Sequence, residues 1–415
     1  MRFFVETYGC TMNQGEGQEM QHKLFSLGHS IVPTAEDAEI VVVNTCVVIK
    51  ATELKIMKRM RELREGGKQL VVTGCMVAVQ ESEVLGEFPE ALIMPPSRYG
   101  SFAEMISERF SIGGSSVDRI QYPSDTTFIL PIAQGCLGHC SYCITRLARG
   151  ELRSYPVEEL VQLAKKAVDG GAKELLVTAQ DTACYGKDVG GNLRDLMESL
   201  CTIEGDFKIR IGMMNPDSLR GQEGDLARII GHKKVYKFLH LPVQTGSDRL
   251  LKTMGRGYNI SEFEEQVHSI RKAVPRLTLS TDVICGFPGE SDQDHRDSLE
   301  MLRRIKPNIV NVTRFSSRPG TAAESMAAQV VSRIAKNRSR EIAKLRFEIA
   351  SDINVKLIGE CIEVIATEEG KTGTTICRDL AYVPVVIPIQ LPLGSKIRTI
   401  VTESHPTHLV GRLID

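Results

Sequence analysis

Short apolar runs alternating with amphipathic segments constrain this chain more than any other feature. In the first 95 residues "RFFVETYG", "EIVVVNT" and "KQLVVTG" read as strands. Helical patterns separate them, one around Glu16–Leu27 and one in "ATELKIMKRMRELREGG", where Leu54, Met57 and Met60 recur at helical spacing and Gly66-Gly67 stops the run. Strands separated by helices predict a parallel sheet with helices on its faces, here a Rossmann-like unit over residues 1–120. "PPSRYG" and "SIGGSSVDRIQYPSD" mark residues 96–125 as a boundary. From Thr126 the alternation resumes in six longer units: "TFILPIAQG", "ELLVTAQDT", "FKIRIGMMNP", "KFLHLPVQTG", "LTLSTDVICGFPG" and "NIVNVTRFSSRPG". They predict a partial (β/α)6 barrel over 126–348, with its chemistry at the C-terminal strand ends. After residue 350, short β-rich runs from "ECIEVIATEE" to "HLVGRLI" predict a small antiparallel β-barrel of oligonucleotide-binding type over 350–415.

A chain of 415 residues is too long for one ordinary core. No run approaches the roughly 18 apolar residues of a membrane span, and the start "MRFFVETYGC" carries no export signal. A cytoplasmic protein with no membrane partner is therefore expected. Its eleven cysteines then point to metal or redox chemistry rather than to disulfides. The net charge of −1 excludes a global attraction to nucleic acid, but charge is unevenly spread: −5 over residues 1–125, +6 over 126–349 and −2 over 350–415. Much of the middle excess lies in "RIAKNRSREIAKLR" (333–346), which reads either as a solvated helix face or as a surface that tracks phosphates.

Six of the cysteines sit in two patterns. Cys10, Cys46 and Cys75 each follow one of the first three strands, so a parallel sheet would bring them to one edge. Cys136, Cys140 and Cys143 are spaced C-x3-C-x2-C on a Gly-flanked loop after the first barrel strand. Structural zinc takes four ligands, and His139 would have to point the same way as its neighbour Cys140 to be the fourth. A [4Fe–4S] cube takes one thiolate per iron. Three thiolates leave one iron open to a substrate. Cys184, Cys201, Cys285, Cys361 and Cys377 match no ligand slot and read as small core or partly exposed residues.

The triplet "CLGHCSYC" resembles the radical S-adenosylmethionine signature, and Tyr142 before its third cysteine fits that pattern. Further segments, "ETYGCTMNQGEG", "NTCVV", "TGCM", "HLPVQTGSDRLLKTMGRGY", "TDVICGFPGES" and "FSSRPGTAA", are similar in order to the methylthiotransferase family over nearly the whole chain. The resemblance implies a cube on Cys136, Cys140 and Cys143 that reductively cleaves S-adenosylmethionine to a carbon radical. It implies a second [4Fe–4S] cube on Cys10, Cys46 and Cys75, and a C-terminal TRAM domain that binds RNA. It also implies that two molecules of S-adenosylmethionine are consumed per turnover, one as methyl donor and one as radical source.

Around the cubes, Gln180 and Asp181 at the end of the second barrel strand are candidates to contact the cofactor. In "TDVICGFPGE", Asp282 could bond ribose or amino groups and the backbone from Gly286 could approach the adenine; each also reads as an ordinary strand-end turn. "HLPVQTGSD" offers His240 and Gln244 to the barrel mouth, where a lone histidine reads equally as a hydrogen-bonded structural residue. "ETYGCTMNQGEGQEM" resembles the archaeal and eukaryotic branch, which implies methylthiolation at C2 of N6-threonylcarbamoyladenosine at tRNA position 37. The implied partners are the tRNA anticodon stem-loop, an electron donor such as ferredoxin or flavodoxin, and a sulfur donor. Isopentenyladenosine at the same position and a ribosomal-protein aspartate are the alternative substrates. A non-catalytic iron–sulfur electron-transfer or RNA-binding protein is the alternative of another class.

Overall fold

The computed structural model describes residues 1–110 and 126–414. The segment "SIGGSSVDRIQYPSD" (111–125), part of the expected boundary, lies outside the described residues.

The first sheet is built from β1 (Arg2–Thr7), β2 (Ser30–Ile31), β3 (Ile40–Thr45), β4 (Gln69–Gly74) and β5 (Leu92–Met94), in the order β2-β1-β3-β4-β5 with every pairing parallel. β3 is buried along its whole length, as a central strand covered on both faces must be. Helices Thr11–Ser26 and Lys50–Glu65 cross between strands. A helix, Phe102–Arg109, occupies part of the expected boundary and packs Phe102 and Ile106 against Phe3 and Val42.

All six expected barrel strands form. They are β6 (Thr127–Pro131), β9 (Glu174–Thr178), β10 (Lys208–Ile211), β11 (Phe238–His240), β12 (Thr278–Cys285) and β13 (Ile309–Arg314). β7 (Ala133–Gln134) and β8 (Arg153–Ser154) form a small antiparallel ribbon beside the cysteine loop. The six run parallel in chain order as two three-stranded sheets, joined by one bridge between Ile209 and Val235. The arc is open past β13, whose Ile309 is exposed. Helix Ser332–Asn354 buries Ile342, Leu345 and Ile349 in this core and carries the chain on to the last unit.

The last unit is a closed barrel of β14 (Cys361–Glu369), β15 (Thr375–Asp379), β16 (Pro384–Ile387), β17 (Lys396–Ser404) and β18 (Leu409–Leu413), in the order β14-β15-β16-β18-β17. Its pairings are antiparallel except β16 with β18, which closes the barrel in parallel. Among the described residues no helix is long and apolar enough to cross a membrane.

Two buried ion pairs lock the first sheet unit to the partial barrel. Arg149 forks onto Glu16, and Arg318 pairs with Glu53; all four side chains are at most 5% exposed.

Candidate functional site

Cys10, Cys46 and Cys75 follow β1, β3 and β4, three neighbours in one sheet, and meet at its C-terminal edge. Cys10 caps helix Thr11–Ser26, and Cys75 opens the short helix Cys75–Val79. Glycines let the chain pass this closely. Gly9 has φ +110°, and a Cβ there would lie 2.8 Å from the Cys46 Cβ. Gly74 has φ +93°, and a Cβ would meet the Thr45 carbonyl at 2.3 Å. Asn13 ties the edge together by donating to the Tyr8 and Thr45 carbonyls, each at 2.9 Å. Burial pushes the Cys75 thiol up to about 11, against the pull of Arg149, whose Nε donates to its Sγ at 3.2 Å. Cys46 is raised by burial and then by the nearby Cys10.

The second thiol set lies on the loop after β7. Gly135, at φ +80°, turns the chain where a Cβ would strike the Glu151 carbonyl at 1.9 Å. Its N–H donates to Gln180 Oε1 at 2.7 Å, so Gln180 holds the loop entry. Arg146 closes the loop from below by donating to the carbonyls of Cys136 and Gly138. The Gly138 N–H donates to Cys136 Sγ at 3.2 Å, and a Cβ on Gly138 would lie 3.3 Å from Cys136 Sγ and 3.9 Å from Cys140 Sγ. Arg256 donates to Cys140 Sγ at 3.2 Å; it reaches there because Gly255, at φ +74°, lets its loop pass under the His139 carbonyl. Burial pushes Cys136 up to about 11 and raises Cys143. His139 is exposed.

Each set thus offers three soft thiols with one arginine donating to a sulfur. Thiols give up their protons to a thiophilic metal, so the donor chemistry fits an iron–sulfur cube. Among the described residues no three His, Cys, Asp or Glu side chains crowd to the spacing of a single metal ion. A cube distributes its thiolates over separate irons and asks for wider spacing than one ion does. The two sets share one helix: Cys143 caps Ile144–Arg149, and Arg149 at its far end touches Cys75.

The remaining candidates divide. Asp282 faces the barrel interior, where His240 Nε2 lies 2.9 Å from its Oδ1 and Asn311 donates to it at 2.7 Å. Gln244 adopts φ +74° and pairs through its backbone with Asp282 and Ile284. Asp181 is 1% exposed and saturated by Ala183 N, Asn215 N, Ser218 Oγ and Cys184 Sγ, so it holds a turn together near Cys136. Tyr142 packs edge-on against Phe287 in an apolar cluster with Leu250 and Met254. The N–H of Gly286 is taken by Glu290 at 2.6 Å, and its α-carbon abuts Ala335 on helix Ser332–Asn354. Arg149, Arg256 and Glu16 escape sequence reasoning, because the partners named here lie far away in the chain, and so does the bond from Asn13 to Thr45.

Residues 2–95 match the model of an uncharacterized protein family, UPF0004, and residues 130–302 that of the Radical SAM superfamily. A probable threonylcarbamoyladenosine tRNA methylthiotransferase of Pyrococcus horikoshii is 40% identical over 425 residues, all of both chains. The threonylcarbamoyladenosine tRNA methylthiotransferase of Homo sapiens is 32% identical over 93% of this chain and 69% of its own. Among solved structures, the radical S-adenosylmethionine methyltransferase TsrM of Kitasatospora setae, which has cobalamin and a [4Fe–4S] cluster bound, matches with a TM-score of 0.57 at 11% identity. That match covers 78% of this chain and 76% of that one, and concerns the fold alone.

Proposed function

The chain belongs to the threonylcarbamoyladenosine tRNA methylthiotransferase family, and from that premise we propose that it places a methylthio group on C2 of N6-threonylcarbamoyladenosine at position 37 of tRNA. The observation that carries this reading is the pair of three-thiol sets linked by helix Ile144–Arg149. A methylthio transfer to an unactivated aromatic carbon needs both a radical source and a separate sulfur-bearing centre. In this reading Cys136, Cys140 and Cys143 hold one [4Fe–4S] cube, and Cys10, Cys46 and Cys75 hold a second. When bound, the cubes and S-adenosylmethionine supply the electron, the carbon radical and the methyl group.

The chain's own residues bind, orient and shield. Gln180 and Arg146 fix the loop that presents Cys136 and Cys140. Arg256 and Arg149 each place a positive charge and an N–H on one thiol, which favours its anionic form. Asp282, oriented by His240 and Asn311, offers an acceptor for ribose or amino groups of the cofactor. Tyr142 and Gly286 support the cofactor site through packing and Asp181 through its buried turn. The working units are 1–120, 126–348 and 350–415. The reaction belongs to the cytoplasm, where tRNA resides, and draws on ferredoxin or flavodoxin for electrons and on a separate sulfur donor.

Nucleoside mass spectrometry tests the reading. The reconstituted chain is incubated anaerobically with S-adenosylmethionine, reductant, sulfide and tRNAs carrying either threonylcarbamoyl- or isopentenyl-adenosine. A methylthio mass gain confined to the threonylcarbamoyl nucleoside is expected. Gain on the isopentenyl nucleoside would change the substrate and keep the chemistry. Gain on neither, with deoxyadenosine still released, would overturn the RNA substrate.

A further inference from the structure

A cavity of about 350 Å³ lies where the partial barrel, helix Ser332–Asn354 and the C-terminal barrel meet. Such a volume suits a small-molecule group. Three arginines line it, one from each of these elements: Arg210 on β10, Arg346 on the helix and Arg378 on β15. Each keeps a buried Nε–H without an acceptor. The other nitrogens are only partly used. Arg346 donates to the Val310 carbonyl at 2.8 Å and Arg378 to Glu368 at 2.8 Å. The Arg210 side chain makes no hydrogen bond or ion pair among the described residues. Its guanidinium lies 4.9 Å from the Phe238 ring centroid and 5.2 Å from that of Tyr382.

Among the described residues no Asp or Glu lines this space. Buried donors are normally paired, and three unpaired ones around one space leave an anion's place open. Burial opposes the charge on Arg210, Tyr382 favours it, and Arg378 opposes it again against the weaker pull of Glu174; a bound anion would offset the burial and the repulsion. Tyr382, stacked between Arg210 and Arg378, is held at φ +63°, a strained conformation for a bulky residue of the kind kept at ligand clamps.

We infer that this cavity receives the carboxylate of the threonylcarbamoyl group on the substrate nucleoside, gripped by Arg210, Arg346 and Arg378. The inference rests on the proposed substrate and names the residues that select it. An arginine fork matches a planar carboxylate through paired N–H donors. Thr278, Ser280 and Asn311 on the same walls add hydroxyl and amide groups suited to a urea and a hydroxyl. Thr278 and Ser280 share one face of β12 with Asp282. From Ser280 to the Cys285 end of that strand is roughly 16 Å at strand rise, which leaves room for a base between cavity and cysteine loops. A backbone phosphate is less suited, since it carries chain on both sides, whereas a terminal carboxylate can enter between the three arginines end-on.

The test compares binding of the full-length protein to two tRNAs that differ only in whether the adenosine at position 37 carries the threonylcarbamoyl group. Wild type is expected to prefer the modified tRNA, and an anticodon stem-loop with the carboxylate masked as its methyl ester should lose that preference. Arg210→Gln should weaken binding to the modified tRNA on the order of tenfold and leave the unmodified one unchanged, which also reports a folded protein. Arg210→Lys, which keeps charge but not the fork, should fall between. Equal weakening on both tRNAs by Arg210→Gln, or no weakening on either, would overturn the inference. If the wild-type chain neither prefers nor methylthiolates the modified tRNA, the substrate reading falls, and this one with it.

Discussion

Glu53→Met should undock the first sheet unit from the partial barrel more readily than Arg318→Met, although both break the same pair. The carboxylate is 5% exposed and the guanidinium 3%. Removing Glu53 strands Arg318 as a buried cation whose Nε already lacks an acceptor, and breaking a buried pair this way costs about 3–5 kcal/mol. Removing Arg318 leaves Glu53 with Lys50, whose side chain is 53% exposed, and with Gln80 at 3.4 Å. That residual pairing reduces the expected cost to about 1–3 kcal/mol. Replacing both by Met removes two desolvated charges together and should bring stability back near wild type. Hydrogen exchange of amides in helix Lys50–Glu65 reads this local opening without assuming that the whole chain unfolds at once. At about 1.4 kcal/mol per tenfold, Glu53→Met should lower protection there by roughly two or more powers of ten. A loss under about 1 kcal/mol, or a double variant as costly as the two singles summed, would refute the reasoning.

Other expectations concern the thiol sets and pH. Cys140→Ala should abolish release of deoxyadenosine, whereas Cys46→Ala should keep it and lose the methylthio product; equal methylthiolation by Cys46→Ala and wild type would sink the two-cube assignment. Gly9→Ala forces a Cβ to within 2.8 Å of Cys46 at a φ that only glycine tolerates well, so iron analysis should show one cube's worth lost and the cysteine-loop cube kept. Arg256→Leu removes a positive charge and an N–H from Cys140 and should move the potential of that cube to more negative values in a redox titration; no shift would deny the contact a tuning role. Burial, with Glu290 next, pushes the Cys285 thiol up to about 12. The stability tied to its protonated form is complete below about pH 8.5 and is lost as pH rises toward 12. Urea midpoints of Cys285→Ala should therefore fall less steeply than wild type above that lower bound, and parallel curves would argue against it.

The main strands and the two cysteine patterns are legible because each depends on local sequence: apolar runs of strand length, and thiols at fixed offsets from them; the short edge strands Ser30–Ile31 and Leu92–Met94 are not. Nor is the start of the first helix. It begins at Thr11 rather than near Glu16, because "TMNQGEG" is polar and glycine-rich. Those glycines serve close packing: a Cβ on Gly15 would come within 2.8 Å of Ile129, and one on Gly17 within 2.3 Å of the Thr7 hydroxyl. Helix Phe102–Arg109 hides in a stretch read as boundary, although Phe102, Ile106 and Phe110 recur every fourth residue. The second tier of the site is less legible still. Arg149 meets Glu16 across 133 residues and Arg256 meets Cys140 across 116, and no window of sequence pairs them. Asp181 shows the converse: a carboxylate at a strand end reads as a ligand contact, while in the fold its oxygens are already taken by internal donors.

Helix Ile144–Arg149 spans six residues between the cap at Cys143 and the arginine that touches Cys75. At about 1.5 Å per residue it is roughly 9 Å long, and so acts as a ruler between the two thiol sets. One inserted residue would lengthen it only slightly but would swing its far end by about 100°. Arg149 would then leave both Glu16 and Cys75, and the first sheet unit would lose its register on the barrel. Length changes here should be far less tolerated than substitutions on the exposed side of the same turn, such as at Leu147, which is 50% exposed.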